Sequence, residues 1–249
     1  MKEKQLLFEE SFDYQGKPNE SIWTIEVGDR WHNDEKQCYT DQKENVMVKD
    51  GALQLQATLN DSPCKYLSGR INTKNKVHFM YGRFVIRAKL PKGRGSWPAI
   101  WFLGEDIKEV GWPKCGEIDL MEYAGNQPRQ STCAIHTQSF NHRIQTDLGG
   151  KIELPDLSDT FHDFILEWHP NYLSFQVDYE EIFHLEKKET DTPNEYPFNK
   201  PYYLIINQAV GGMYGKEIID TDLPFLFEVA SIKVFSIDGH GKIINFNKK

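Results

Sequence analysis

Gly82-Arg-Phe-Val-Ile-Arg-Ala-Lys-Leu90 alternates along its length, with Phe84, Ile86, Ala88 and Leu90 on one side and Arg83, Arg87 and Lys89 on the other. A period of two in a run rich in β-branched and aromatic residues is the signature of a strand with one buried face. The pattern recurs in both directions, in Ala52-Leu-Gln-Leu-Gln-Ala-Thr58, Phe164-Ile-Leu-Glu-Trp168, Leu173-Ser-Phe-Gln-Val177, Tyr202-Tyr-Leu-Ile-Ile-Asn207 and Ser231-Ile-Lys-Val-Phe235. Turn chemistry lies between the runs, in Lys49-Asp-Gly51, Lys92-Gly-Arg-Gly95 and His169-Pro-Asn171. No segment sustains a helical period. Many short strands without alternating helices predict an all-β sandwich or barrel. With no linker, internal repeat or low-complexity tract, residues 1–249 are expected to form one domain.

Composition excludes more than it identifies. The chain has 249 residues, enough to bury a substantial core, and a formal net charge of −8. An acidic surface repels polyanions, so no nucleic-acid partner is expected; a neutral polysaccharide is not repelled. No apolar stretch reaches the ~18 residues of a membrane-spanning helix. The N-terminal Met1-Lys-Glu-Lys-Gln-Leu-Leu-Phe8 lacks an apolar core of signal-peptide length. The expectation is a secreted or cell-surface protein whose leader is absent, or a cytosolic one, and a monomer in either case. The four cysteines are too few for a disulfide scaffold, and mostly free thiols are expected, with a Cys38–Cys64 bridge left open. Aromatic residues make up 13%, which suits both a sugar-binding cleft and an ordinary β core.

The chemistry is concentrated in Gly116-Glu-Ile-Asp-Leu-Met-Glu-Tyr123. In a regular strand Glu117, Asp119 and Met121 share a face and Glu122 takes the other. A β-bulge near Leu120–Met121 adds one residue and returns Glu122 to the face of Glu117 and Asp119. A solvated acidic edge strand is the alternative, but the apolar neighbours and Trp112-Pro113 point to a half-buried position. Like charges on one buried face raise each other's pKa, a cost that catalysis explains. Retaining glycosidases need two carboxyls ~5–5.5 Å apart, one attacking the anomeric carbon and one passing protons. Asp119 between them would bond one glutamate and separate the two pKa values. Spacing alone does not say which glutamate is the nucleophile.

With the residues around it, this segment resembles glycoside hydrolase family 16, in particular its laminarinase-like endo-β-1,3-glucanases. The resemblance is carried by Trp97-Pro-Ala-Ile-Trp-Phe-Leu-Gly104, Gly111-Trp-Pro-Lys-Cys115 and Glu117-Ile-Asp-Leu-Met-Glu122. Upstream stand Trp31-His-Asn-Asp-Glu35, Tyr39-Thr40 and Tyr81-Gly-Arg-Phe-Val-Ile-Arg-Ala-Lys-Leu-Pro91. Downstream stand Phe161-His-Asp-Phe, Glu167-Trp-His-Pro170 and Pro201-Tyr-Tyr-Leu-Ile-Ile-Asn-Gln-Ala-Val-Gly-Gly212. The resemblance implies a β-jelly-roll sandwich of two curved antiparallel sheets with an open cleft on the concave face. It implies double displacement with net retention, Glu117 as nucleophile, Glu122 as acid/base and Asp119 assisting. The bulged spacing resembles the laminarinase-like branch and implies β-1,3-glucan or mixed-linkage β-1,3/1,4-glucan as substrate.

Two departures stand out. Where many relatives hold calcium with acids, this chain has Ser11 and Ala230, and without carboxylates no tight calcium is expected. Where the family often has Trp after the Gly-Gly turn, this chain has Met213-Tyr214. The substrate-binding candidates are Trp97, Trp101, Trp112, Arg83, Asn33, Asn45, His136 and Gln208. Trp97 and Trp112 are read as cleft residues, and Trp101 is open between cleft and core. Arg83 is open between sugar hydroxyls and a surface ion pair, and Asn45 between a hydroxyl and a turn. His136 would bond substrate near the leaving group or tune Glu122. Trp23 and Trp168 are read as packing. No zinc spacing, nucleotide loop or G-x-S-x-G appears, and acid chemistry needs no cofactor. Rival readings are a hydrolase or transglycosylase acting on another polysaccharide such as a galactan, and a non-catalytic glucan-binding module.

Overall fold

A computed structural model describes residues 5–61 and 63–246. Met1–Lys4, which belong to the segment read above for a leader, lie outside the described residues. The alternating runs do form strands, and they assemble into two sheets. One sheet runs in the order β13 (Leu148–Glu153), β12 (Gln130–His136), β11 (Glu117–Tyr123), β10 (Ser96–Gly104), β17 (Tyr202–Val210), β7 (Arg70–Asn72) and β2 (Thr24–Ile25). On its flank β8 (Val77–Met80) pairs with β17 and with β19 (Lys242–Asn245).

The other sheet runs β16 (Glu180–Glu186), β15 (Tyr172–Val177), β14 (His162–His169), β9 (Gly82–Lys89), β18 (Phe225–Phe235), β5 (Ala52–Leu59), β6 (Tyr66–Ser68) and β3 (Gln37–Tyr39). Here β1 (Leu6–Glu10) pairs with β18, and β4 (Val46–Lys49) with β5. Pairing is antiparallel throughout the described strands except between β3 and β6, which run parallel. Helix is confined to short pieces, the single turns α1 (Ile107–Val110) and α2 (Gly212–Gly215) and two 3-10 turns. No described helix is long and apolar enough to cross a membrane. This is the jelly-roll sandwich that the resemblance implies.

The core lies between the sheets. Phe84, Ile86 and Ala88 of β9 and Phe164, Leu166 and Trp168 of β14 face Ile100 and Phe102 of β10 and Leu204 and Ile206 of β17. Trp23 and Trp168 are buried as expected, each with its indole N–H satisfied, by Glu10 and by the Phe198 carbonyl respectively. Packing one face of the nine-stranded sheet on the core leaves the other for a cleft. Along β10 and β17 the cleft face carries Trp97, Ala99, Trp101, Asn207 and Ala209.

The thiol expectation is half corrected. Cys38 and Cys64 are joined, tying β3 to the segment before β6, while Cys115 and Cys133 are free and buried. Ser11 follows β1 and Ala230 lies within β18, and neither offers a carboxylate there. The adjacent Glu10 is occupied with the Phe12 amide and the Trp23 indole.

Candidate active site

The bulge expected near Leu120–Met121 is present. Asp119 pairs with Ala134 and Glu122 with Thr132, so three steps along β11 match two along β12. Against β10, Met121 pairs with Ile100 and Asp119 with Trp101, which leaves Leu120 as the unmatched residue. The apolar side chains explain why the strand tolerates it. Ile118, Leu120, Met121 and Tyr123 are all buried in the core, so two consecutive core residues force the kink. Glu117, Asp119 and Glu122 are thereby left together on the cleft face.

Each glutamate has its own indole donor. Trp112 Nε1 donates to Glu117 Oε2 at 3.1 Å, and Trp97 Nε1 donates to Glu122 Oε1 at 3.0 Å. Asp119, expected to bond a glutamate, has its Oδ2 3.3 Å from His136 Nε2, and the same nitrogen lies 3.8 Å from Glu117 Oε1. His136 comes from β12 directly opposite Glu117. It therefore stands on the Glu117 side of the cluster. Its Nδ1 is buried with no partner among the described residues.

Electrostatics follow from this crowding. Burial, then the charge of Asp119, pushes Glu122 up to about 7 against the pull of the Trp97 hydrogen bond. Burial, Asp119 and Glu122 likewise raise Glu117 well above the usual carboxylate range, against His136 and the Trp112 hydrogen bond. For His136, burial works against the charged ring, but the hydrogen bond and charge of Asp119 and the charges of both glutamates outweigh it and lift it to about 9. The cluster thus holds an imidazolium beside Glu117 and Asp119, and a carboxyl at Glu122 whose proton is exchangeable near neutrality. One His nitrogen and two carboxylate oxygens of Glu117, Asp119 and His136 lie within 4.8 Å of one another, the only such grouping among the described residues that could hold a cation.

The cleft continues to both sides of the acids as pockets of about 390 and 680 Å³ that share Glu117, Asp119 and Glu122. Trp97, Trp112 and Asn33 line it as expected, Trp101 takes the cleft of its two alternatives, and His136 lines the second pocket. Trp101 Nε1 donates to Asn207 Oδ1 at 2.7 Å. Gly212, at φ 72°, allows α2 to sit close, since a Cβ there would come within 2.8 Å of the Asn33 carbonyl and 3.1 Å of the Trp97 ring. Tyr214, at the position that departs from the family, packs edge-on against Trp97 with its hydroxyl 3.0 Å from Thr132 Oγ1.

Three expected binding residues are elsewhere. Arg83 sits on the ten-stranded sheet and pairs with Glu167 across the β9–β14 ladder, so the ion-pair reading holds and the sugar reading is corrected. Asn45 is buried and its amide bonds the carbonyls of Gln56 and Leu67 and the Thr58 hydroxyl, which makes it a strut between strands. Gln208 is fully buried, and its amide reaches the Ala209 carbonyl. Asn207, one position before it, is the polar residue of β17 that faces the cleft.

Residues not anticipated complete the site. Arg70 stacks between Trp31 and Trp101, with its Cζ 5.0 and 5.1 Å from the ring centres, and pairs with Glu26. Glu35 accepts from Gln37 Nε2 at 2.6 Å, and Tyr39 OH donates to it at 3.3 Å. Trp31 and Glu35 stood in the segment Trp31–Glu35 that carried the resemblance, so a signal for them existed. Asn207 likewise stood in Pro201–Gly212, whereas Arg70 lay outside every segment that carried the resemblance.

The sequence profile of glycosyl hydrolases family 16 matches residues 32–220. The chain belongs to this family. A β-glucanase of Rhodothermus marinus is 38% identical over 221 residues, covering 85% of this chain and 77% of that protein. A glucan endo-1,3-β-glucosidase of Cryptopygus antarcticus is 34% identical over 215 residues, covering 80% of this chain and 78% of that protein. The X-ray structure of the Rhodothermus marinus laminarinase superposes with a TM-score of 0.90 at 34% identity, covering 94% of this chain and 98% of that one. As a family-16 member the chain is a glycoside hydrolase, and the three acids of β11 stand together in its cleft.

Proposed function

We propose that this family-16 hydrolase is a retaining endo-β-glucanase acting on β-1,3-glucan of the laminarin type or on mixed-linkage β-1,3/1,4-glucan. The observation that carries the reading is the bulge of β11, which gathers Glu117, Asp119 and Glu122 on one cleft face with an indole N–H held to each glutamate. The similar proteins named β-glucanase, glucan endo-1,3-β-glucosidase and laminarinase support the substrate class. A cleft that extends to both sides of the acids suits a bond inside a long chain.

In this reading Glu117 is the nucleophile. A nucleophile must be ionised, and the His136 ring and the Trp112 N–H are the groups that favour that form of Glu117 against burial and the charges of Asp119 and Glu122. Its carboxylate attacks the anomeric carbon while Glu122 gives its proton to the leaving oxygen, and the glycosidic bond breaks as the ester to Glu117 forms. Glu122, now a carboxylate, takes a proton from water, whose oxygen displaces Glu117 with a second inversion. Asp119 keeps His136 charged and, through its own charge, keeps the Glu122 proton available near neutrality. No step needs a cofactor.

The test is hydrolysis of laminarin, mixed-linkage glucan and agarose side by side, followed by azide rescue. Wild type is expected to release reducing ends from a β-glucan. Glu117→Ala should lose that activity by at least ~10³-fold while staying folded, and azide should restore turnover as an α-glycosyl azide. With Glu122→Ala, azide should yield the β-azide. Exchanged products would reverse the roles, and a fully active Glu117→Ala would end the reading.

A further inference from the structure

The segment from Thr137 to Asp147 lies along the cleft beside Trp112 and takes no part in the mechanism above. It is firmly built. Asn141 is 3% exposed; its amide donates to the carbonyls of Thr137 at 3.0 Å and Gln138 at 3.4 Å, and its Oδ1 accepts from the Arg143 amide at 3.2 Å. Thr146 Oγ1 bonds the Ser139 carbonyl at 2.9 Å, and Ser139 Oγ donates to Glu195 at 2.6 Å. Phe140 anchors the segment on the core. This framework presents one 3-10 turn, His142–Ile144, and the turn sets the Arg143 guanidinium over the indole of Trp112 with Cζ 4.4 Å from the ring centre.

The other end of that indole is held by its bond to Glu117. The stack therefore has a fixed position relative to the reacting acids. Acids outnumber bases 37 to 29 in this chain, and Arg70, Arg83, Arg87 and Arg94 each lie within 4.0 Å of a carboxylate. Arg143 has no such partner among the described residues, although it lines the cleft. A guanidinium stacked on a ring directs its N–H groups outward in its own plane, is weakly hydrated, and is already ordered before a ligand arrives. In a 3-linked glucosyl unit the equatorial 2- or 4-hydroxyl and the linked O3 beside it present paired acceptors to such a fork.

We propose that Arg143 is a specificity-determining residue that hydrogen-bonds the hydroxyls of a glucosyl unit lying in the cleft beside Trp112. The proposal rests on the glucanase reading and names one substrate contact within it. Lysine cannot replace the residue, because an ammonium neither stacks flat nor offers a planar pair of donors.

The experiment is steady-state kinetics of wild type, Arg143→Ala, Arg143→Gln and Arg143→Lys on laminarihexaose, with a melting curve for each. All three variants are expected to raise KM roughly tenfold, the loss of a charge-assisted hydrogen bond, with kcat within about twofold and melting unchanged because the side chain is exposed. An unchanged KM in a wild type that cuts β-glucan overturns this proposal alone. A fall in kcat at constant KM also overturns it, since Arg143 would then act through Trp112 on Glu117. Full rescue by lysine would remove the planar contact. A wild type that cuts no β-glucan overturns both this proposal and the reading beneath it.

Discussion

At the scale of single residues, the proposed mechanism rests on the different surroundings of two glutamates of one strand. Glu122 carries a proton up to about 7, from burial and the Asp119 charge, and the Trp97 N–H restrains that rise by favouring the ionised form. The protonated acid is present below that value and lost above it, so kcat/KM is expected to fall as pH rises through about 7. Trp97→Phe keeps a ring and removes the donor, which leaves the proton on Glu122 to higher pH. The alkaline limb of the profile should move upward, and a limb that stays or moves down would show that another group sets it. The acids and two of the cleft tryptophans, Trp97 and Trp112, were legible because they cluster in sequence, while Trp101 fitted cleft and core equally. Gln208 was misplaced for a physical reason: β17 is buried along its whole length, so its polarity does not reveal which alternate residues face the cleft. Arg83 was ambiguous because an arginine on a strand has the same local pattern whether it meets a sugar or, as here, Glu167.

At the scale of elements, the bulge of β11 decides whether there is a site. Its cause is visible in the residues, since Leu120 and Met121 are both core side chains and both must face inward. Deleting Met121 leaves strict alternation, with the second glutamate two places after Asp119 and still on the cleft face. Hydrolysis should persist, at a stability loss of ~2–5 kcal/mol for the vanished core side chain, read by denaturant unfolding. Inserting one alanine between Met121 and Glu122 should instead turn the glutamate toward the core and abolish hydrolysis. Activity in the insertion variant, or none in a folded deletion variant, would contradict this account. The Asn141-braced turn that carries Arg143 was not legible, because its bonds join residues up to Glu195 that nothing in the local pattern connects.

At the scale of the whole molecule, the sandwich buries both sheets against each other, and the Cys38–Cys64 bridge fastens β3 at the edge of the cleft. That strand carries Gln37 and Tyr39, which hold Glu35 and Asn207 in the cleft lining. Closing a separation of 26 residues is worth about 3.5 kcal/mol by loop-entropy arithmetic. Reduction, or the double substitution to serine, should therefore lower Tm by roughly 7–14 °C; an unchanged Tm would mean the bridge constrains little. Local pattern pointed to an all-β chain, to Glu117, Asp119 and Glu122 as the acid cluster, and to a bulge near Leu120–Met121 as the way to gather them. Each of these depends on side chains within a few residues of one another, where alternation and charge are directly readable. Which sheet Arg83 joined, which strands the Asn45 amide bridged, which face of β17 met the cleft, and which cysteines came together were decided only when distant strands paired. Those outcomes depend on contacts between residues tens to hundreds of positions apart, and no local period encodes them.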